Sequence, residues 1–291
     1  MKNLEEIGFK VRLYASSKSM SPSLGLSAGF TEEELAKKAL HDMHEGMLDV
    51  IVDWSHMKIY SRFDDRVLSQ VFWTDVEGKN PVYPSRAVAR AFGNSSGTVI
   101  YPGIDISKYR LGKEREDWFI FLSRIIPEKG VEKTIAIAKM ANIRLKVVGH
   151  TGRFANQQYV EKIKSMCTGK IEWVGEVSEK EKIDLLSHAR GLIYKNVWLE
   201  SFGIFTVEAL ASGCPCIVSI DSGGPAEIVI HNKTGYICST IKEYCSAISR
   251  IEEIEPEECR KRAEYFSSAR MARDWAKHIL SFMEKAGGGY G

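Results

Sequence analysis

Two pairs of charged residues have the types and the spacing to do chemistry. Arg124 and Lys129 follow an apolar run at 118–123, on what reads as the loop leaving a strand. A guanidinium offers a rigid fork of donors and an ammonium a point charge, a combination that could clamp a diphosphate. The same two residues could equally be a solvated loop pair, with Glu128 neutralising one of them. The second pair is Glu200 and Glu208, which bracket Ser201-Phe202-Gly203-Ile204 where a helix should begin. There the free backbone N–H groups and the positive end of the helix dipole face the loop, and Gly203 lets the chain approach a ligand. Glu208 sits among Phe205, Val207, Ala209 and Leu210, and a carboxylate in such company needs partners. Paired sugar hydroxyls would suit it, since a carboxylate accepts several hydrogen bonds. A Glu on a thin solvent stripe, with Glu200 as a cap, is the competing reading.

Other residues at strand ends carry weaker signals. Gly149 heads the turn Gly149-His150-Thr151-Gly152 and could border a nucleotide, whereas Thr151 and Gly152 read as turn residues. Asp221-Ser222-Gly223-Gly224-Pro225 is a second strand-to-helix turn that could bound a sugar pocket. His56, after Asp53-Trp54-Ser55, stands at a cleft-facing end and is the better functional candidate among the histidines. Trp54, Trp73 and Trp198 read as core or cleft wall. His41 and His44 are three apart on an expected helix and read as surface residues, because nothing around them resembles a metal-binding helix. The six cysteines show no paired CxxC spacing, and Cys214 and Cys216, either side of Pro215, read as packed thiols rather than ligands. No metal site is expected, and the cysteine usage fits a reduced, cytoplasmic setting.

The elements that must position these residues alternate. Strands are expected over 9–15, 49–54, 70–74 and 98–101. A capping box at Thr31 and Glu34 opens a helix reaching about Glu45, and Pro84-Ser85 starts a short one. The stretch 104–117, polar and without periodicity, reads as a linker. Strands then recur over 118–123, 144–148, 170–174, 191–194 and 215–220. Helices fall over 131–141, after the capping box Ser178/Glu181, over 203–211, and through most of the chain from Ile241. Short strands alternating with helices predict parallel sheets in an α/β fold. With 291 residues, two domains are favoured over one. Ligands in such folds bind beyond the carboxyl ends of the strands.

Composition narrows the function. Forty basic side chains against 38 acidic ones, evenly spread between the halves, leave no basic stripe for nucleic acid. No apolar stretch approaches the ~18 residues of a membrane span.

The segments FLSRIIPEKG, LKVVGH, IEWVGEVSEKEKIDLLSHA, LESFGIFTVEALASGCPCIV and GGPAEIVIHNKTGYI together resemble the family 4, or group 1, glycosyltransferases of the GT-B fold. The resemblance spans about 82–237. YPGIDISKY is similar to the family's hinge motif, and FSSARMARDWAKHIL to its terminal helix. It implies two Rossmann-like parallel-sheet domains facing a cleft: an acceptor-side domain over 1–108 and a nucleotide-sugar domain over 109–265. A helix over 266–291 would cross back to the first domain and end in a frayed tail. Hexosyl transfer from a nucleotide-diphosphate sugar, such as a UDP- or GDP-hexose, to an acceptor hydroxyl with retention is the implied activity, with no other cofactor. Arg124 and Lys129 would hold the diphosphate and Glu208 the ribose, while the backbone near Val177 would meet the base. Glu200 and the amides of Phe202, Gly203 and Ile204 would hold the sugar. The acceptor would be a glycan, a lipid-linked sugar or a small molecule, the lipid-linked case bringing contact with the inner membrane face. The first domain is expected to lack its first strand and Gly-rich loop, because 2–7 reads as the end of that unit's helix with Gly8 as its cap. Asp75 falls where many members carry a cleft His. Competing expectations are a nucleotide-sugar-binding protein with little transfer and a GT-B nucleotide-sugar 2-epimerase.

Overall fold

A computed structural model describes residues 2–10, 37, 39, 41–46, 48–53, 66–71, 78–92, 94–112, 114–152 and 156–285. The chain forms two compact units, one made of 1–101 with 269–291 and the other of 102–268. The strands in chain order are β1 (Ile51–Asp53), β2 (Val67–Gln70), β3 (Pro81–Tyr83), β4 (Thr98–Val99), β5 (Phe119–Leu122), β6 (Leu145–Val148), β7 (Ile171–Gly175), β8 (Gly191–Tyr194), β9 (Cys216–Ser219) and β10 (Gly235–Cys238). The helices are α1 (Lys2–Glu5), α2 (Arg86–Ala91), α3 (Val131–Met140), α4 (Gln157–Met166), α5 (Glu179–His188), α6 (Ile204–Ala211), α7 (Gly224–Ile228), α8 (Ile241–Ser249), α9 (Pro256–Glu264) and α10 (Ser268–Lys285).

In the first unit four parallel strands run in the order β1-β2-β3-β4. Leu68, Val82 and Ile100 from this sheet form one cluster with Trp275 and Ile279 of α10. Those two helix residues lie four apart on one face, as an amphipathic helix requires. Leu4 of α1 joins the cluster, and the chain leaves α1 through Gly8 at φ 96°. The Gly8 N–H returns to the Glu5 carbonyl at 3.0 Å, so the expected cap forms. His41 and His44 lie exposed in a helical segment.

The second unit is a six-stranded sheet, parallel throughout, in the order β10-β9-β8-β5-β6-β7. Every residue of β5, β8 and β9 is buried, which explains their continuous apolar sequences: helices cover both faces. Strand order reverses between β5 and β8. Loops leaving adjacent strands at such a point diverge and open a crevice beyond the strand ends. Arg124 and Lys129 leave β5, and Glu200 lies on the loop leaving β8.

Several expectations need correction. The strand expected over 70–74 lies earlier, at β2, where Ser69 and Gln70 are buried despite their polarity. Val71 still donates to the Val82 carbonyl at 2.8 Å; 72–77 are outside the described residues. β3 escaped notice because Pro81 interrupts the strand signal, although proline is tolerated at a first strand position. β10 and α4 were also missed, one being short and glycine-led and the other mostly polar. The stretch 104–117 is not a free linker. Ile106–Lys108 is a 3-10 turn capped by Asp105, and Ile104 bridges Ser267. Lys108 and Arg110 form ion pairs with Glu179 and Asp184 on α5, while Tyr109 between them is buried. Composition hid this alternation, since two of the three residues face water. The expected strand at 9–15 and capping box at Thr31 and Glu34 lie almost wholly outside the described residues, as does the tail from 286; Phe9 and Lys10 are not in a strand.

Candidate functional site

Lys129 ends a 3-10 turn, and Gly130 follows at φ 67°. A side chain at Gly130 would collide with the Lys195 carbonyl, so only glycine lets the two loops meet. Thr134 of α3 ties the contact: its hydroxyl donates to the Gly130 carbonyl at 3.2 Å and accepts from the Lys195 N–H at 3.2 Å. The Val197 N–H donates to the Glu128 carbonyl at 3.2 Å. These ties bring the buried Lys129 ammonium onto Glu200, forming an ion pair whose side chains are 10% and 12% exposed. The Tyr194 hydroxyl, at the end of β8, donates to the same oxygen, Glu200 Oε2, at 3.0 Å. Burial, then the charge and hydrogen bond of Glu200, hold that phenol far above its ordinary range. It therefore stays protonated and acts as a donor. Arg124 opposes the shift from nearby. The Arg124 side chain is exposed and forms no hydrogen bond or ion pair among the described residues, while its carbonyl accepts from the Ile126 N–H at 3.0 Å.

The loop carrying Glu200 is framed by the Asp221–Pro225 turn noted in the sequence. The Glu200 N–H donates to the Ser222 carbonyl and the Gly224 N–H to the Glu200 carbonyl, both at 2.9 Å. Gly223 (φ 79°) and Gly224 have no room for a side chain against Glu200 and Phe202. Asn196 Nδ2 reaches the carbonyls of Trp198 and Ser222. Ser201 is buried with its hydroxyl unpaired, and Phe202 is buried edge-on to Phe266 at 5.6 Å. Gly203 adopts φ 84° as the N-cap of α6. Ile204 is exposed at the first turn, and Val197, Trp198 and Ile220 are exposed as well.

Glu208 is buried on α6, as expected for an apolar helix, and finds its partners within the protein. Lys182 Nζ donates to its Oε1 at 2.6 Å, and the Tyr109 hydroxyl to the same oxygen at 2.8 Å. Lys182 comes from α5, whose capping box closes with Ser178 N–H to Glu181 Oε2 at 2.8 Å and Glu181 N–H to Ser178 Oγ at 3.3 Å. Burial and the Glu208 charge push the Tyr109 phenol well up. Arg260 clamps this end of the unit, donating to the Tyr109 carbonyl at 2.7 Å and the Ala211 carbonyl at 2.6 Å.

Gly149 donates to the Gly175 carbonyl at 2.9 Å, and the Ser123 carbonyl leaves no space for a side chain there. It lines a recess of about 290 Å³ with Thr151, Trp173 and Val174. Val177 lines a second recess of about 730 Å³ with Val174, Arg110 and Ser178. Neither includes Arg124 or Glu200, which stand at the ends of β5 and β8. His56, Asp75, Trp54 and Trp73 lie outside the described residues. All six cysteines are free thiols, with Cys214 and Cys216 buried. No group of three His, Cys, Asp or Glu side chains among the described residues could hold a metal. No helix there is long and apolar enough to cross a membrane.

Sequence reasoning singled out Arg124, Lys129, Glu200 and Glu208 as candidates but not Tyr194, Lys182 and Tyr109, which the structure places against the two glutamates. Tyr194 had a signal, a phenol closing a buried strand six residues before Glu200. Tyr109 had only the alternation described above.

Two parallel α/β units, the second with paired cations and carboxylates at its switch point, define the architecture of a GT-B protein. The chain belongs to the glycosyl transferases group 1 family, whose pattern matches residues 104–270. It is 30% identical over 107 residues to the alpha-1,3/1,6-mannosyltransferase ALG2 of Dictyostelium discoideum, covering 35% of this chain and 25% of that protein. It is 28% identical over 203 residues to a probable sucrose-phosphate synthase of Thermosipho melanesiensis, covering 64% and 45%. This chain thus spans between a quarter and a half of the length of these curated relatives. Among solved structures, AviGT4, a glycosyltransferase involved in avilamycin A biosynthesis, superposes with a TM-score of 0.75 at 20% identity, covering 97% of this chain and 87% of that one. HepE from Anabaena, solved with UDP-glucose, superposes at 0.70 with 17% identity, covering 88% and 86%. At these identities the structural likeness shows the fold.

Proposed function

We propose that this protein binds a nucleotide-diphosphate sugar and transfers its hexosyl group to an acceptor hydroxyl with retention of configuration. The observation that carries the reading is the charge arrangement at the switch point. Both glutamates are paired with lysines, and Arg124, close to the Tyr194 that holds Glu200, has an exposed side chain with no hydrogen-bond or ion-pair partner among the described residues. Arg124 then supplies the net positive charge for the diphosphate and offsets the negative charge that grows on the departing nucleoside diphosphate, an effect that is strong where water is excluded. Lys129, its charge balanced by Glu200, adds an N–H donor to the same group. Glu200 and the amides of Phe202, Gly203 and Ile204 hold the sugar. Glu208 holds the ribose, and the Val177 backbone meets the base. His56 and Asp75 remain acceptor-side candidates, and the acceptor hydroxyl belongs to a glycan, a lipid-linked sugar or a small molecule. Family membership supports the transferase class, and relatives named as mannosyltransferases support a hexosyl group.

The test is calorimetric titration of the purified chain with UDP-glucose and GDP-mannose, followed by NMR of the product's anomeric centre. Arg124→Ala and Glu208→Ala should each weaken donor binding by roughly tenfold or more, as losing a charge-assisted contact does. Unchanged binding in both variants would remove the site assignment. An epimerised donor without any glycoside would replace transfer by epimerisation.

A further inference from the structure

The two glutamates share a construction that their spacing does not reveal. Glu200 accepts from Lys129 and Tyr194 on Oε2, and Oε1 accepts nothing among the described residues. Glu208 accepts from Lys182 and Tyr109 on Oε1, and Oε2 accepts nothing among them. Each carboxylate is thus held through one oxygen by one lysine and one tyrosine. We propose that Tyr194 and Tyr109 are positioning residues that fix one oxygen of each glutamate and so aim the other at the ligand. Glu200 Oε1 is then aimed at the donor sugar and Glu208 Oε2 at the ribose. The assignment of those two ligand groups rests on the donor reading above.

The division of labour follows from the side chains. An ammonium on a flexible stem neutralises a carboxylate but does little to orient it. A phenol on an immobile ring does orient it, because two donors on one oxygen occupy its lone pairs and set the carboxylate plane. Both rings are immobile. Tyr194 is fully buried, with ring centroids 4.5 Å from Phe205 and 6.1 Å from Phe121, and its carbonyl accepts from the Tyr244 hydroxyl at 3.0 Å. Tyr109 is buried, and Arg260 locks its carbonyl to the end of α6, the helix that carries Glu208. Burial and the adjacent carboxylates keep both phenols protonated, so they stay donors.

The experiment compares Tyr109→Phe, Tyr194→Phe, Glu208→Gln and Glu200→Gln in calorimetric titrations with UDP, GDP, UDP-glucose and GDP-mannose. Tyr109→Phe should weaken the bare nucleotide and its sugar conjugate equally, by roughly fivefold to twentyfold. Tyr194→Phe should leave the bare nucleotide unchanged and weaken only the conjugate, by a similar factor. A merely structural hydroxyl would produce no such split. In the doubles Tyr109→Phe/Glu208→Gln and Tyr194→Phe/Glu200→Gln, the tyrosine change should add no further loss. Additive losses, or wild-type affinity in both tyrosine variants while the glutamate variants bind poorly, overturn the positioning roles and leave the donor reading intact. If no nucleotide binds the wild type, or both glutamate variants bind normally, the donor reading falls and takes this inference with it. Should Tyr194→Phe not fold, the Tyr109 pair decides alone.

Discussion

Replacing Lys129 with Met tests how the Glu200 carboxylate is held. The pair is nearly dry, with side-chain exposures of 10% and 12%. Breaking a buried pair by removing one partner costs about 3–5 kcal/mol, because the surviving charge is stranded. Here the stranding is incomplete, since Tyr194 still donates to Glu200 Oε2 at 3.0 Å. A hydrogen bond to a charged group contributes about 1.5–3 kcal/mol. The loss for Lys129→Met should therefore sit near the low end, at about 3 kcal/mol. Glu200→Gln should cost about 2 kcal/mol by removing the carboxylate charge that Lys129 pairs with while keeping an amide oxygen for Tyr194. The double variant removes both charges of the pair. It should lose about 2 kcal/mol, less than the two single losses together, giving a coupling energy of about 3 kcal/mol. Urea unfolding followed by far-UV circular dichroism measures all three, with the slope checked for constancy so that midpoint shifts report stability. Additive losses would mean that the two side chains do not depend on each other, and the description of Lys129 as the neutralising partner of Glu200 would be wrong.

Two further outcomes follow from backbone and titration. Gly130→Ala must accept a left-handed φ of 67° and push against the Lys195 carbonyl, whereas Gly169→Ala meets open space at φ 64°. The second should cost only about 1–2 kcal/mol for the dihedral, and the first at least twice that; equal losses by urea unfolding would show that the loop contact is loose. His278 on α10 has its pKa lowered, first by burial and then by Lys285. A base with a depressed folded pKa gives its full stability above the unfolded value near 6.5 and loses it as pH falls through 6.5 toward the folded value. His278→Gln should flatten the change in melting temperature between pH 7.5 and pH 5.5; an unaltered slope would show that the ring is not disfavoured when charged.

The second unit was legible because its strands are buried on both faces, so 118–123, 191–194 and 215–220 stand out as apolar runs between turn residues. The Ser178/Glu181 capping box marked the start of α5 for the same local reason. The first unit was less legible. β2 buries Gln70, whose Nε2 donates to the Val82 carbonyl at 3.1 Å, and Ser69, whose hydroxyl has no partner among the described residues. β3 opens on a proline. At the site, residues that carry charge into apolar surroundings were conspicuous, because elementary energetics demands an explanation for Glu208. Their partners were not. Tyr109 lies 99 positions from Glu208 and Lys129 lies 71 from Glu200, and pairings at that separation are decided by topology. The strand order β8-β5, with a glycine that allows the loops to touch, joins Lys129 to Glu200.

That topology also explains why two carboxylates can stand next to a site read as binding a diphosphate, where they would ordinarily repel it. Lys129 and Lys182 cancel their charge at contact distance, so the repulsion is local and weak beyond the pair. What remains of each glutamate is direction, one oxygen without a partner among the described residues, suited to hydroxyl groups and unsuited to phosphate. On the proposed donor reading, Arg124, outside both pairs, keeps its charge for the anion. A surface tuned for polyanions would need a field over many residues; on the proposed reading this site would instead separate recognition of hydroxyls from recognition of phosphate within a few side chains, and the nearly neutral composition of the chain is compatible with that division.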